Sequence, residues 1–172
     1  MFKMLFAYPK VLYQPAKRIT HRRWLPIPDE GRFMTGDMGD LKALLGRLAR
    51  AVWSVERRPE LAAAAAANLA AEGVENVRVI VGDGTEGAGS GAPYDAIVVA
   101  AAHPLVPPPL AAQLEEGGRL VQPIGPGGAD EVTLFRRRGG VLARERVVTG
   151  ARFVPLYGRH GFTPRGDEQD GG

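Results

Sequence analysis

Residues 51–99 decide the fold, and they read AVWSVERRPELAAAAAANLAAEGVENVRVIVGDGTEGAGSGAPYDAIVV. The apolar pattern predicts strands at 52–55, 77–81 and 95–99, with a helix over 59–72 between the first two. The last of these strands is a nearly continuous apolar run, which is typical of a strand that helices bury on both faces. This alternation of strand and helix indicates a doubly wound α/β domain with a mostly parallel sheet.

The sequence downstream extends this pattern and then changes it. A helix is expected from Pro107–Pro109 to Gly117-Gly118, followed by a parallel strand at 119–123. Residues 131–138 and 141–148 then flank a Gly-Gly pair, which predicts an antiparallel hairpin. We therefore expect a mostly parallel, doubly wound sheet that ends in a C-terminal antiparallel hairpin.

The two ends of the chain differ from this central domain, which we place at 41–158, beginning with a helix capped by Asp40. Residues 1–40 contain several prolines, and we expect an irregular, basic N-terminal segment. Residues 1–58 carry 12 Lys and Arg against 5 Asp and Glu, but no nucleic-acid-binding motif accompanies them. A solvated segment is therefore favoured over a nucleic-acid-binding one. Residues 159–172 are polar and glycine-rich, and they are expected to form a disordered tail.

Composition excludes several classes of function. The chain has no cysteine, which rules out disulfides, thiolate metal sites and cysteine nucleophiles. The three histidines are too scattered to propose a metal site, so none is expected. No apolar run reaches the roughly 20 residues that cross a bilayer, so we expect a cytoplasmic protein without membrane contact.

Candidate ligand-binding residues follow the predicted strands. Ligands of open α/β sheets bind beyond the carboxyl ends of the strands, and Glu56, Asp83 and Ala100 all follow a strand end. The Glu56 carboxylate could accept hydrogen bonds from both hydroxyls of a ribose. It lies 20 residues after Gly36 and 17 after Gly39, close to the usual distance between a glycine turn and the acid that binds the ribose. Asp83 could accept an adenine amino group. Each also has an ordinary interpretation: Glu56 as an exposed strand end paired with a neighbouring arginine, Asp83 as a turn residue.

Three segments occur in a recognisable order: VWSVERRPELAAAAAANLAAEGVENVRVIVGDGT at 52–85, APYDAIVVAAAHPLVPPPLAAQLEEGGRLVQPIG at 92–125, and RFVPLYG at 152–158. Together they resemble successive signature segments of protein-L-isoaspartate O-methyltransferases. The resemblance covers about two-thirds of the chain. It implies the Rossmann-like class I methyltransferase fold and S-adenosyl-L-methionine as the cofactor.

The resemblance also implies roles for individual residues. Glu56 matches the acid that binds the cofactor's ribose, and Gly82, Asp83 and Gly84 match the segment that lines the adenine. Ala100 begins the strand-end loop beside the cofactor. Val154, Pro155 and Leu156 match the segment that helps to hold the isoaspartyl peptide. The implied activity is protein repair, the methylation of the carboxyl group of L-isoaspartyl residues in damaged proteins or peptides. That reaction needs no general base, and no catalytic residue is assigned.

The chain departs from the family pattern upstream. The family's first cofactor motif is a G-x-G-x-G turn; here Gly39 falls on the third glycine, while Asp37 and Thr35 replace the second and first, with Gly36 between them. A Gln-Thr-Ile-Ser type segment, which supplies a hydroxyl in the family, is also missing. One alternative is therefore an impaired or truncated family member that acts only as a binding scaffold. A nucleic-acid methyltransferase is less favoured, because Ala100–His103 replaces the Asn/Asp-Pro-Pro-aromatic motif expected there.

Overall fold

The centre of the computed structural model, which describes residues 3–8 and 49–163, is a seven-stranded sheet. In chain order its strands are β1 (Lys3–Tyr8), β2 (Ala51–Glu56), β3 (Val77–Val81), β4 (Tyr94–Val99), β5 (Leu114–Ile124), β6 (Asp130–Arg138) and β7 (Val141–Ala151). Their order across the sheet is β3-β2-β1-β4-β5-β6-β7. All pairings from β3 to β5 are parallel, and those of β6 and β7 are antiparallel.

This sheet confirms the predicted fold. Strands β2, β3, β4 and β5 contain the four predicted parallel segments, and β6 and β7 form the predicted hairpin around Gly139 and Gly140. Both glycines have positive φ, 60° and 77°, which glycine adopts without steric cost. The parallel strands end at one edge, so the loops that follow β2, β3 and β4 converge there.

Strand β1 corrects the expectation that residues 1–40 are irregular. It pairs in parallel with both β2 and β4, and it therefore lies in the middle of the sheet. Its sequence, KMLFAY, is an apolar run that ends before Pro9, so the prolines do not interrupt it. The predicted helix at 41–48 and the candidate cofactor residues Gly36 and Gly39 lie outside the described residues.

Among residues 49–163, two helices and a short 3-10 helix at Gly89–Gly91 connect the strands. Helix α1 (Pro59–Ala71) is close to its predicted bounds; it buries Ala62, Ala65 and Leu69, and Gly73 follows its end with φ +67°. Helix α2 (Pro108–Ala112) is shorter than predicted, because β5 already begins at Leu114. The Arg137 guanidinium stabilises this early end by donating to the carbonyls of Ala111, Ala112 and Leu114.

The core is one cluster between the sheet and its covering segments. It includes the fully buried side chains of Tyr94, Ile97, Leu110 and Leu120, and also Leu156 from the C-terminal region. The Tyr94 hydroxyl donates to the Ala88 carbonyl, and burial raises the pKa of Tyr94 to about 12. None of the described helices has the length and apolar character needed to cross a membrane.

Candidate functional site

The carboxyl edge of the parallel sheet brings two of the candidate segments together. Glu56 is the last residue of β2 and pairs in register with Val81, the last residue of β3. The Gly82 amide donates to the Glu56 carbonyl at 3.0 Å, so the Gly82–Gly84 loop begins beside Glu56. The structure therefore places the candidate ribose acid and the candidate adenine segment on neighbouring strands at one edge.

Glu56 is buried, with 1% of its surface exposed. Its Oε1 accepts the backbone N–H of Arg58 at 3.0 Å. The Arg58 guanidinium instead pairs with Glu60, so the expected alternative of an exposed Glu56 in an arginine ion pair is not what the described residues form. A carboxylate offers about four acceptor positions. Glu56 thus keeps capacity for further donors, such as two hydroxyls of a ribose.

Asp83 has more partners within the protein. Its Oδ1 accepts the Thr85 amide at 2.8 Å and the Thr85 hydroxyl at 2.7 Å, and its Oδ2 accepts the Arg159 amide at 2.7 Å. Burial acts to raise the pKa of Asp83, but these hydrogen bonds and the charge of Arg57 outweigh it and hold the pKa below its usual value. The two bonds from Thr85 fit the ordinary interpretation of Asp83 as a turn residue, but the bond from the Arg159 amide is a long-range contact that a turn does not explain.

The strand-end loop that Ala100 begins contacts the candidate peptide-binding segment directly. The Ala102 amide donates to the Val154 carbonyl at 2.9 Å, and the Leu156 amide donates to the Ala102 carbonyl at 2.7 Å. These two bonds form a parallel bridge between Ala102 and Pro155. Val154, Pro155 and Leu156 are therefore held against the loop that follows β4.

Residues 153–162, which we name the C-terminal strap, cross the carboxyl edge. Besides the Arg159 bond to Asp83, the His160 amide donates to the Thr85 hydroxyl at 3.1 Å. The strap folds on itself, because the Phe162 amide donates to the Leu156 carbonyl at 2.8 Å. The prediction of a disordered tail from 159 is thus wrong for residues 159–163; residues 164–172 lie outside the described part of the chain.

Two site residues had no role in the sequence-based prediction. Thr85 joins Asp83 to the strap, and Asp130 joins the loop after β5 to Phe153. The Asp-Gly-Thr run could have indicated a local turn at Thr85. Nothing in the local sequence indicates a contact between residues 130 and 153. Within residues 3–8 and 49–163, no cluster of three or more potential metal-binding side chains occurs.

His103 lies beside the strap and makes local contacts. Its Nδ1 is 2.8 Å from the Leu105 carbonyl oxygen and 3.2 Å from the Leu105 amide. Its ring packs edge-on against Phe162, with 4.9 Å between the ring centres. These contacts favour a role for His103 in packing the strap.

Comparison with known proteins gives one consistent family. The family model for protein-L-isoaspartate(D-aspartate) O-methyltransferase matches residues 36–161. A protein-L-isoaspartate O-methyltransferase from Methanoregula boonei is 46% identical over 138 residues, which cover 80% of this chain and 63% of that protein. The enzyme of the same name from Methanoculleus marisnigri is 52% identical over 121 residues, covering 70% of this chain and 54% of that protein.

Solved structures agree with these relatives. A protein-L-isoaspartate O-methyltransferase aligns at a TM-score of 0.58 and 31% identity, covering 64% of this chain and 35% of that chain. A second structure, described as a candidate enzyme of this kind from Plasmodium falciparum in complex with S-adenosyl-L-homocysteine, aligns at a TM-score of 0.50 and 22% identity. It covers 62% of this chain and 52% of that chain, and it supports the fold alone.

The chain spans between half and two-thirds of the length of the curated relatives it matches. The match nevertheless covers most of the chain itself and includes the carboxyl-edge loops and nearly all of the strap. The sheet, with its parallel strands and antiparallel hairpin, is the class I methyltransferase fold predicted from the sequence. The chain belongs to the protein-L-isoaspartate(D-aspartate) O-methyltransferase family.

Proposed function

We propose that the protein binds S-adenosyl-L-methionine at the carboxyl edge and methylates the carboxyl group of L-isoaspartyl residues in damaged proteins. One observation carries the proposal. The loop after β4 contacts the candidate peptide-binding segment through Ala102, and Glu56 ends β2 at the same carboxyl edge of the sheet. A cofactor held by Glu56 and a peptide held by the strap would therefore be neighbours.

The residues fit the cofactor at the ribose. Glu56 is a buried carboxylate whose Oε1 accepts one backbone amide, and buried polar groups in proteins are normally satisfied. Two ribose hydroxyls would supply donors of the required kind. Asp83 would contribute to the adenine side while also holding Thr85 and Arg159, so any adenine amino group would share this carboxylate with the protein's own donors.

The chemistry requires little from acid or base groups. When bound, S-adenosyl-L-methionine would supply an electrophilic methyl group, whose bond to sulfur breaks and leaves S-adenosyl-L-homocysteine. The isoaspartyl carboxylate is already ionised at neutral pH, so its oxygen can form the new C–O bond without prior removal of a proton. The chain's task is to hold this carboxylate in line at near-contact distance and to exclude water. Glu56 would orient the cofactor, and Val154–Leu156 would orient the peptide.

The test is transfer of a labelled methyl group to an isoaspartyl peptide, with the same peptide containing normal aspartate as the control. We expect labelling of the isoaspartyl peptide alone, as a base-labile ester. Calorimetric titration with S-adenosyl-L-homocysteine would accompany it. Binding of this ligand without methyl transfer would support the scaffold alternative, and the absence of both would contradict the proposal.

We further propose a cytoplasmic location, in keeping with an ordinary globular composition of 45% apolar and 24% charged residues. Cell fractionation tests this location.

A further inference from the structure

Asp130 is a buried acid that is bonded to backbone amides. Only 4% of its surface is exposed. Its Oδ1 accepts the Gly127 amide at 2.9 Å, and its Oδ2 accepts the Gly128 amide at 3.0 Å and the Phe153 amide at 3.1 Å. Hydrogen bonds to an ionised acceptor are about twice as strong as neutral ones. One carboxylate therefore joins the loop after β5 to the first residue of the strap.

The loop after β5, which Asp130 organises, packs against the candidate peptide-binding segment at Pro155. Gly127 has φ +91°, and a Cβ at this position would lie 2.9 Å from Pro155 Cγ. A Cβ at Gly125 would collide with the Asp130 carboxylate itself. Only glycine permits both close approaches. The loop thus forms a surface against which Pro155 rests, and Asp130 fixes that surface relative to Phe153.

Within the described part of the chain, the strap is anchored by polar bonds at three places, which differ in what they touch. Arg159 and His160 bind Asp83 and Thr85, and Val154 and Leu156 bind Ala102. Both of these anchors belong to loops beside the proposed cofactor site. The third anchor, Asp130, is the first residue of β6, and the three bonds of its carboxylate reach neither of those loops. Asp130 therefore acts directly on the peptide side, and it reaches the cofactor side only indirectly, through the bonds of Val154 and Leu156 to Ala102.

We propose that Asp130 is a positioning residue for the peptide: through the Phe153 amide and the Gly127 surface, it sets the place of Val154–Leu156 and thereby the affinity for the isoaspartyl peptide. The inference rests on the proposed function, because that function gives the segment its ligand. Asp130 touches no reacting atom.

The test compares Asp130→Asn with Glu131→Gln. Both variants neutralise one acid at adjacent positions of β6, but Glu131 is exposed and pairs with Arg144. An asparagine keeps one acceptor oxygen and turns an NH₂ group towards an amide donor, so at least one of the three bonds is lost. We expect KM for the isoaspartyl peptide to rise about tenfold or more, the scale of one lost bond to a charged group. We expect the affinity for S-adenosyl-L-homocysteine to change much less than the peptide KM, because Asp130 itself bonds to no residue of the cofactor side, and Glu131→Gln to match wild type in both.

Hydrogen exchange provides a readout that does not depend on activity. The amides of Gly127, Gly128 and Phe153 should exchange faster in Asp130→Asn and unchanged in Glu131→Gln. If Asp130→Asn does not fold, Asp130→Glu keeps the charge while displacing the bonds, and it should also raise KM. Failure of both variants to fold would assign Asp130 to overall stability and overturn the proposal.

Two further outcomes would overturn it, and they differ from failure of the proposed function. In the first, Asp130→Asn has the same peptide KM as Glu131→Gln although its amides exchange faster, which would show that the segment moves without affecting the peptide. Equal exchange in both variants would show that Asp130 does not hold the segment. Failure of the proposed function would appear in the wild-type protein, as absence of both peptide binding and methyl transfer, and the inference would fall with it.

Discussion

Replacement of Glu56 tests the proposed cofactor site most directly. Glu56→Gln keeps the side chain's size and one acceptor oxygen, but its NH₂ group cannot accept a hydrogen bond, so about half of the acceptor positions are lost. Glu56→Ala removes every acceptor and also leaves the Arg58 amide, at the start of α1, without its partner. Comparison of the two variants separates the loss of ligand contacts from the local loss of structure.

The expected size follows from the number and kind of bonds lost. Hydrogen bonds to charged groups contribute about 1.5–3 kcal/mol. Glu56→Ala should therefore weaken binding of S-adenosyl-L-homocysteine by about 10- to 150-fold, and Glu56→Gln should fall towards the lower end of that range. The matched control is Glu72→Gln, an exposed acid at the far end of α1. Calorimetric titration measures all three. Wild-type affinity in both Glu56 variants would remove Glu56 from the ribose role, whatever the family resemblance.

Three other predictions concern the strap and the upstream turn. Because the pKa of Asp83 is lowered in the folded protein, its carboxylate stabilises the fold at pH values above the unfolded-state pKa of about 3.9. This stabilisation is lost as the pH falls through the pKa that Asp83 has in the folded protein. The difference in urea midpoint between wild type and Asp83→Asn should hence shrink from pH 7 to pH 3; a constant difference would contradict it. Leu156→Ala should cost about 2–5 kcal/mol of unfolding free energy in urea titrations, whereas exposed Leu105→Ala should cost little. Asp37→Gly should tighten the binding of S-adenosyl-L-homocysteine more than that of S-adenosyl-L-methionine. The Asp37 carboxylate would repel the carboxylate of either ligand, by about 1–4 kcal/mol at 4 Å, and the sulfonium charge of S-adenosyl-L-methionine offsets part of this repulsion. Equal titration curves for variant and wild type would refute this.

Much of the fold could be predicted because its signals are local. Strands β2 to β4 and the second half of β5 are short, mostly apolar runs, and the Gly139-Gly140 pair marks the hairpin. Strand β1 was missed because it has six residues, stands before a proline-rich stretch, and pairs with strands more than forty residues away. The end of α2 was misplaced for a similar reason. The carbonyls that end it are held by Arg137, which is distant in sequence.

The site was predictable in position but not in detail. A strand end can be located from the sequence, so Glu56 and Asp83 were both assigned to the ligand edge. What each carboxylate does there depends on which donors reach it, and one of those donors is the backbone amide of a remote residue. Asp83 receives the amide of Arg159, 76 residues away, whereas the bond to Glu56 comes from Arg58 close by. Any backbone amide can donate whatever its side chain, so residue type carries no signal for such bonds. The two acids therefore look equivalent in the sequence and differ in the structure: among the described residues the Glu56 carboxylate accepts one local amide, whereas the Asp83 carboxylate accepts two local donors and the Arg159 amide of the strap.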